Sequence, residues 1–140
     1  MSAAERPVVG VLVGSASDRE RMQPALDELE RLGIPWEFEV RSAHRNPDAV
    51  AEYAKNARAR GLRVLICGAG LAAALPGVVA AHTQLPVIGV PLRSSKSVLD
   101  GLDALLSIVQ MPPGVPVACV GVDNARNAAV LAARMLAAST

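Results

Sequence analysis

Aromatic side chains are nearly missing from this chain: one Trp, one Tyr and one Phe make up 2% of its 140 residues. A core must therefore be aliphatic, drawn from the Val, Leu, Ile and Ala that dominate an apolar fraction of 51%. An excess of one charge is missing too, since 14 basic residues stand against 13 acidic ones for a net charge of +1. With no basic block and no interleaved aromatics, a nucleic-acid groove is not expected. Cysteine is limited to Cys67 and Cys119, isolated in apolar strand-like runs. They read as two buried reduced thiols. No His/Cys/carboxylate group has metal-ligand spacing, so no metal is expected. The apolar runs are broken by Gly, Pro or His well before bilayer length, so no membrane span is expected. Residues 1–7 are polar, lack the apolar centre of a signal peptide and read as an N-terminal extension. A Gly-x-Ser-x-Gly elbow is missing, so a hydrolase nucleophile is not indicated. These absences together predict a soluble cytoplasmic protein, one domain over 1–140.

What is present is an alternation of short β-branched runs with longer amphipathic ones. Val8 to Val13 reads as a buried strand. Ser17 opens a helix, with Glu20 completing a capping box. Met22, Ala25, Leu26, Leu29 and Leu32 form its apolar face, and Gly33 ends it. Trp36 to Val40 is a second strand. Asn46-Pro47 starts a second helix, with Asn as cap and Pro in the first turn. Val50, Tyr53, Ala54 and Ala57 line that helix, and Gly61 stops it. Arg63 to Cys67, Pro86 to Val90 and Val115 to Val122 are further strands. Helices are expected over Leu75 to Thr83, within Ser97 to Ser107, and over Asn124 to Ala138 with Asp123 or Asn124 as cap. The pattern predicts a parallel sheet with helices on both faces. Ligands of such sheets sit at the carboxyl ends of the strands, beside a switch point.

The chemistry-bearing segments obey that rule. Gly14-Ser15-Ala16-Ser17-Asp18 follows strand one. It suits a phosphate, through backbone N–H groups, two hydroxyls and a helix start, and it serves equally as a plain helix cap. Ser42-Ala43-His44-Arg45 follows strand two. There an imidazole, the side chain that exchanges protons near neutral pH, stands beside a guanidinium fork suited to oxyanions. Gly68-Ala69-Gly70 follows strand three. It lets backbone approach a flat ligand or simply makes a tight turn. It is not the dinucleotide fingerprint, since position 73 is Ala. Pro91 to Ser95 follows strand four. His82 reads as a capping or interface histidine. Asp100, Asp103 and Asp123 read as caps and exposed charges.

In these loops the chain resembles the PurE family of 5-(carboxyamino)imidazole ribonucleotide mutases of purine biosynthesis. The resemblance lies in Gly14 to Asp18, Ser42 to Asp48, Gly68 to Gly70, Leu75-Pro76-Gly77, Pro86 to Pro91, Gly101-Leu102-Asp103, Ser107-Ile108-Val109-Gln110-Met111-Pro112 and Asn127 to Ala133. It implies a three-layer flavodoxin-like subunit, a homo-octamer with sites at subunit contacts, and no cofactor. It also implies that Ser15, Ser17, Ser42 and Arg45 meet the ribose phosphate and that Asp18 meets the sugar hydroxyls. Gly14, Ala43, Gly68, Ala69, Gly70, Leu71 and Leu75 complete the substrate site, and Met111 and Pro112 reach a neighbouring subunit's site. His44 is the implied proton carrier as the carboxylate moves from the exocyclic nitrogen to ring carbon C4 through trapped CO2. A functional partner implied is an ATP-dependent carboxyaminoimidazole ribonucleotide synthase. The subgroup that uses free CO2 has Lys after Ala-His, so Arg45 groups this chain with the mutases.

Two positions depart from the family's Gly-Ala-Gly-Gly-Ala-Ala-His-Leu-Pro-Gly. Leu71 replaces a glycine and Ala74 replaces a histidine. His82 cannot stand in for the latter, since eight residues of helix span about 12 Å. Alternative readings are an aminoimidazole ribonucleotide carboxylase, a paralogue acting on a related nucleotide, and a non-catalytic nucleotide-binding subunit.

Overall fold

The computed structural model describes residues 6–138, so most of the N-terminal extension expected over 1–7 lies outside the described residues. Ten strands and α-helices alternate along the described residues. They are β1 (Val9–Val13), α1 (Arg19–Arg31), β2 (Trp36–Val40), α2 (Pro47–Ala57), β3 (Val64–Gly70), α3 (Leu75–Ala81), β4 (Val87–Leu92), α4 (Leu102–Val109), β5 (Ala118–Cys119) and α5 (Ala125–Ala138). The strands form one all-parallel sheet in the order β2-β1-β3-β4-β5. The order reverses between β1 and β3, which places the switch point there.

Period-two alternation along the buried strands divides the core into two layers. Val9, Val11 and Val13 join Met22, Leu26 and Leu29 of α1 and Ala125, Ala128 and Ala132 of α5 on one face. Leu12, Leu65 and Cys67 join Val50, Tyr53 and Ala54 of α2, Leu75 and Val79 of α3 and Ile108 of α4 on the other. This is the expected flavodoxin-like three-layer α/β sandwich. Asn46 caps α2 as its sequence signals, accepting from the Ala49 N–H at 3.3 Å, with Pro47 in the first turn.

Several boundaries differ from the sequence expectation, each for a local reason. The helix after β1 is entered through a single 3-10 turn, Ala16–Asp18. Ser15 caps that turn, its Oγ accepting from the Ser17 N–H at 3.3 Å; Asp18 precedes α1 without a side-chain cap bond, so Ser17 and Glu20 do not form the expected box. β3 runs through Gly68-Ala69-Gly70, and β4 runs on through Pro91 to Leu92. The two continue pairing in register, Gly68 with Val90 and Gly70 with Leu92. α4 begins only at Leu102. Before it, Ser97 Oγ accepts from Gly101 N–H at 3.0 Å and donates to Asp103 at 2.7 Å, and Gly101 takes φ of 95°. These side-chain bonds replace a helical turn. β5 keeps two residues of the expected eight, because Gly114 turns at φ of 91° and Pro116 lacks an N–H for the ladder.

Among the described residues, no helix is long and apolar enough to cross a membrane. None of their His, Cys, Asp and Glu side chains form a group of three or more that could hold a metal ion. Cys67 is fully buried, and burial pushes its thiol far above the ordinary range; Cys119 is half-buried and also raised.

Candidate functional site

The carboxyl ends of β1, β2 and β3 open onto one cleft of about 540 Å³. Gly14, Ser15, Ala16 and Asp18 supply the wall after β1, Val40 to Arg45 without Arg41 the wall after β2, and Ala69 to Leu75 the wall after β3. The cleft therefore sits at the β1/β3 switch point, where parallel sheets bind ligands. Other depressions, lined by residues such as Arg58, Leu85, Pro86 and Met135, lie at the amino-terminal edge of the sheet, away from these loops.

In the first loop, the Ser15 and Ser17 hydroxyls lie 2.9 Å apart, and the Asp18 N–H donates to Ser15 O at 3.0 Å. The turn is thus pre-formed, with its hydroxyls exposed. Asp18 is half-buried; burial raises its carboxyl above the ordinary value, and nearby Arg21 opposes the rise. The second loop is a tight turn. Ser42 Oγ accepts from Arg45 N–H at 3.2 Å and Ser42 O accepts from Asn46 N–H at 2.9 Å. His44 and Arg45 are both exposed, with His44 Nε2 3.0 Å from the carbonyl oxygen of Ala72. That contact bridges the second and third loops.

The third loop carries the two departures. Leu71 takes φ of +57°, the left-handed region where a Cβ is strained, and its side chain is 40% exposed on the cleft. A glycine at this position would meet without strain a backbone requirement that Leu71 meets under strain. Ala74 precedes α3 without any side-chain cap and presents only a methyl group to the cleft.

Gly14, Ser15, Asp18, Ser42, Ala43, His44, Arg45, Ala69, Gly70, Leu71 and Leu75, all expected at the site, converge on this cleft. Ser17 reaches it only through Ser15. Gly68 does not line it. A Cβ there would meet Met22 Sδ at 2.5 Å, so this glycine admits α1 rather than a ligand. Met111 packs its sulfur near Gly77 of the same chain. Val40, Ala16, Ala72 and Ala73 line the cleft with no chemical signal in the sequence to mark them. Asp123, the other candidate for the α5 cap, makes no capping bond. It accepts from Arg93 N–H at 2.9 Å and pairs with Arg21 at 3.4 Å, tying β4's end and α1 to the turn before α5. Asn124 is the α5 cap, accepting from Asn127 N–H at 3.2 Å.

Residues 8–140 match the family model described as AIR carboxylase. An N5-carboxyaminoimidazole ribonucleotide mutase of Pyrococcus horikoshii is 56% identical over 133 residues, 95% of this chain and 74% of the relative. The same-named protein of Mycobacterium tuberculosis is 58% identical over 137 residues, 98% of this chain and 78% of the relative. The crystal structure of Treponema denticola PurE superposes with a TM-score of 0.84 at 32% identity, covering 96% of this chain and 83% of that one. The chain belongs to the AIR carboxylase family.

Proposed function

We propose that this protein is an N5-carboxyaminoimidazole ribonucleotide mutase of purine biosynthesis, which moves a carboxylate from the exocyclic nitrogen of the aminoimidazole to ring carbon C4. The observation that carries the reading is the convergence of His44 with the Ser15, Ser42 and Arg45 loops on one cleft at the switch point. Ser15, Ser42 and Arg45 hold the ribose phosphate, and Ser17 supports it through the Ser15 hydroxyl. The positive end of the turn entering α1 and the planar Arg fork both favour such an oxyanion. Asp18 accepts hydrogen bonds from the ribose hydroxyls. The aminoimidazole then lies between the His44 loop and the Ala69 to Leu75 wall.

The reaction needs one proton moved twice. As the N–C bond breaks, its electron pair stays on nitrogen, which takes a proton from the His44 imidazolium, and CO2 is released into the cleft. C4 next attacks CO2, and neutral His44 removes the C4 proton to restore the aromatic ring. His44 thus begins and ends the cycle as imidazolium, and no cofactor enters. Confinement of CO2 supplies the effective concentration that free solution lacks. The protein is one cytoplasmic domain over 1–140 and works as a homo-octamer in which Met111 and Pro112 reach a neighbouring site. It takes its substrate from an ATP-dependent carboxyaminoimidazole ribonucleotide synthase.

The test supplies purified protein with carboxyaminoimidazole ribonucleotide, and separately with aminoimidazole ribonucleotide plus bicarbonate. Rapid conversion of the first alone supports the mutase. Turnover only with bicarbonate makes the protein a carboxylase, and tight binding without turnover makes it a nucleotide-binding subunit.

A further inference from the structure

Arg41 stands at the base of the loop that carries His44, yet it is outside the cleft, whose wall takes its neighbours Val40 and Ser42. Its backbone N–H donates to Val13 O at 2.8 Å, extending the β1–β2 ladder one residue beyond β2. Its guanidinium is engaged on three sides. Nη1 donates to the Ala49 carbonyl at 2.8 Å, Nε donates to Glu39 Oε1 at 2.8 Å, and the fork lies 5.1 Å from the Tyr53 ring centroid. Ala49 is in the first turn of α2, so this one side chain joins both ends of the 42–46 loop.

The Tyr53 platform is itself fixed. Its hydroxyl donates to Glu37 Oε2 at 2.6 Å and fills the space left open by the missing Cβ of Gly10. Arg60 pairs with the same Glu37 carboxylate and stacks on the ring at 5.5 Å from its centroid. Burial and Glu37 together push the Tyr53 hydroxyl far above its ordinary range, so it stays a donor. Two further loop bonds, Arg45 N–H to Ser42 Oγ and Asn46 N–H to Ser42 O, shape the turn internally. Only a planar fork supplies two directed donors and a stacking face together, which an ammonium group cannot. With Glu39 beside it, the Arg41 charge is already paired.

We propose that Arg41 is a positioning residue for His44: it fastens the 42–46 loop between β2 and α2 and so holds the imidazole at the Ala72 carbonyl. This rests on the mutase reading of the cleft for its kinetic consequence, though not for its structural one.

Arg41→Met keeps the stem and removes the fork. Its kcat is expected to fall about tenfold or more with KM within about twofold, because small displacements of a reacting group lower rates steeply. Arg41→Lys, which keeps the charge, recovers less than half of the lost rate. A raised KM with unchanged kcat makes Arg41 a binding residue and overturns the proposal. So does a lower Tm with full activity per folded molecule. The chain has two histidines, which gives a readout independent of turnover. In 15N-histidine spectra of Arg41→Met, the His44 ring signals should move or broaden while those of His82, at the end of α3, stay in place. Unchanged His44 signals overturn the proposal. If the unsubstituted protein converts neither nucleotide, the mutase reading fails, and the histidine spectra still decide whether Arg41 positions His44.

Discussion

His44 Nε2 lies 3.0 Å from the carbonyl oxygen of Ala72, joining the loop after β2 to the loop after β3 across the switch point. A carbonyl can only accept, so Nε2 carries hydrogen in this contact and Nδ1 is the nitrogen left to exchange a proton. One hydrogen bond thus sets both the direction of the ring and its reactive edge. It also makes the third loop, with its strained Leu71, part of the support of His44.

Replacing His44 by Asn keeps a polar side chain of similar reach and removes the exchangeable proton. The expected result is a loss of turnover of about 10²-fold or more, the usual worth of a positioned acid/base. Ribonucleotide affinity, measured by calorimetry, stays within a few-fold. Full activity in this variant would remove His44 from its role.

Leu71 offers a test of backbone strain. Leu71→Gly relieves a left-handed penalty of about 1–2 kcal/mol, partly offset by the greater entropy of the unfolded Gly chain. Leu71→Ala keeps the strain and removes only a half-exposed side chain. Thermal unfolding should therefore place the Gly variant above the Ala variant by about 1 kcal/mol. Equal stabilities would contradict the strain.

Gly68 separates packing from binding. A methyl group there would sit 2.5 Å from Met22 Sδ and 3.3 Å from Leu92 Cδ1, inside the layer between β3 and α1. Gly68→Ala is expected to destabilise by about 1–3 kcal/mol, as overpacked cores do. Substrate KM should be unchanged in the folded fraction. A selective rise in KM with normal stability would return Gly68 to the binding site.

Glu28 predicts the acid limb of stability. It is 6% exposed in α1 and pairs with Arg31 at 2.6 Å and with Arg126 of α5 at 3.3 Å. The Arg31 hydrogen bond, opposed by desolvation and helped by Arg126, holds its carboxyl below the ordinary 4.5. Between the folded value and 4.5, the unfolded chain binds more protons, so stability rises with pH there. The contribution is complete above 4.5 and is lost as pH falls through the folded value. Glu28→Gln should flatten the stability profile in that acidic window, as denaturant unfolding at a series of pH values would show. An unchanged slope would mean that other carboxylates govern it.

Much of this was legible in the sequence because its signals are local. The Asn46-Pro47 start, the Val50/Tyr53/Ala54/Ala57 face and the alternation of strands and helices each depend on residues a few positions apart. The site loops were legible as well, since polar and glycine-rich segments recur where strands end. What escaped is set by partners far along the chain. β3 and β4 lengthen each other by pairing Gly68 with Val90, and Gly68 is small because Met22 needs its space. Arg41 carried no signal of its own, because its partners Glu39, Ala49 and Tyr53 meet it only once α2 is laid on the sheet. Leu71 was visible as a departure, but its left-handed backbone was not.

In the proposed reaction one cleft both releases and recaptures the same carboxyl carbon under the control of His44. Carboxyaminoimidazole ribonucleotide labelled with 13C in its N-carboxylate, supplied in unlabelled bicarbonate buffer, tests this most directly. A mutase carries the label to C4, so carbon NMR of the product should show the enriched carboxylate bonded to the ring. Product formed rapidly but carrying unlabelled carbon from the buffer would contradict the account.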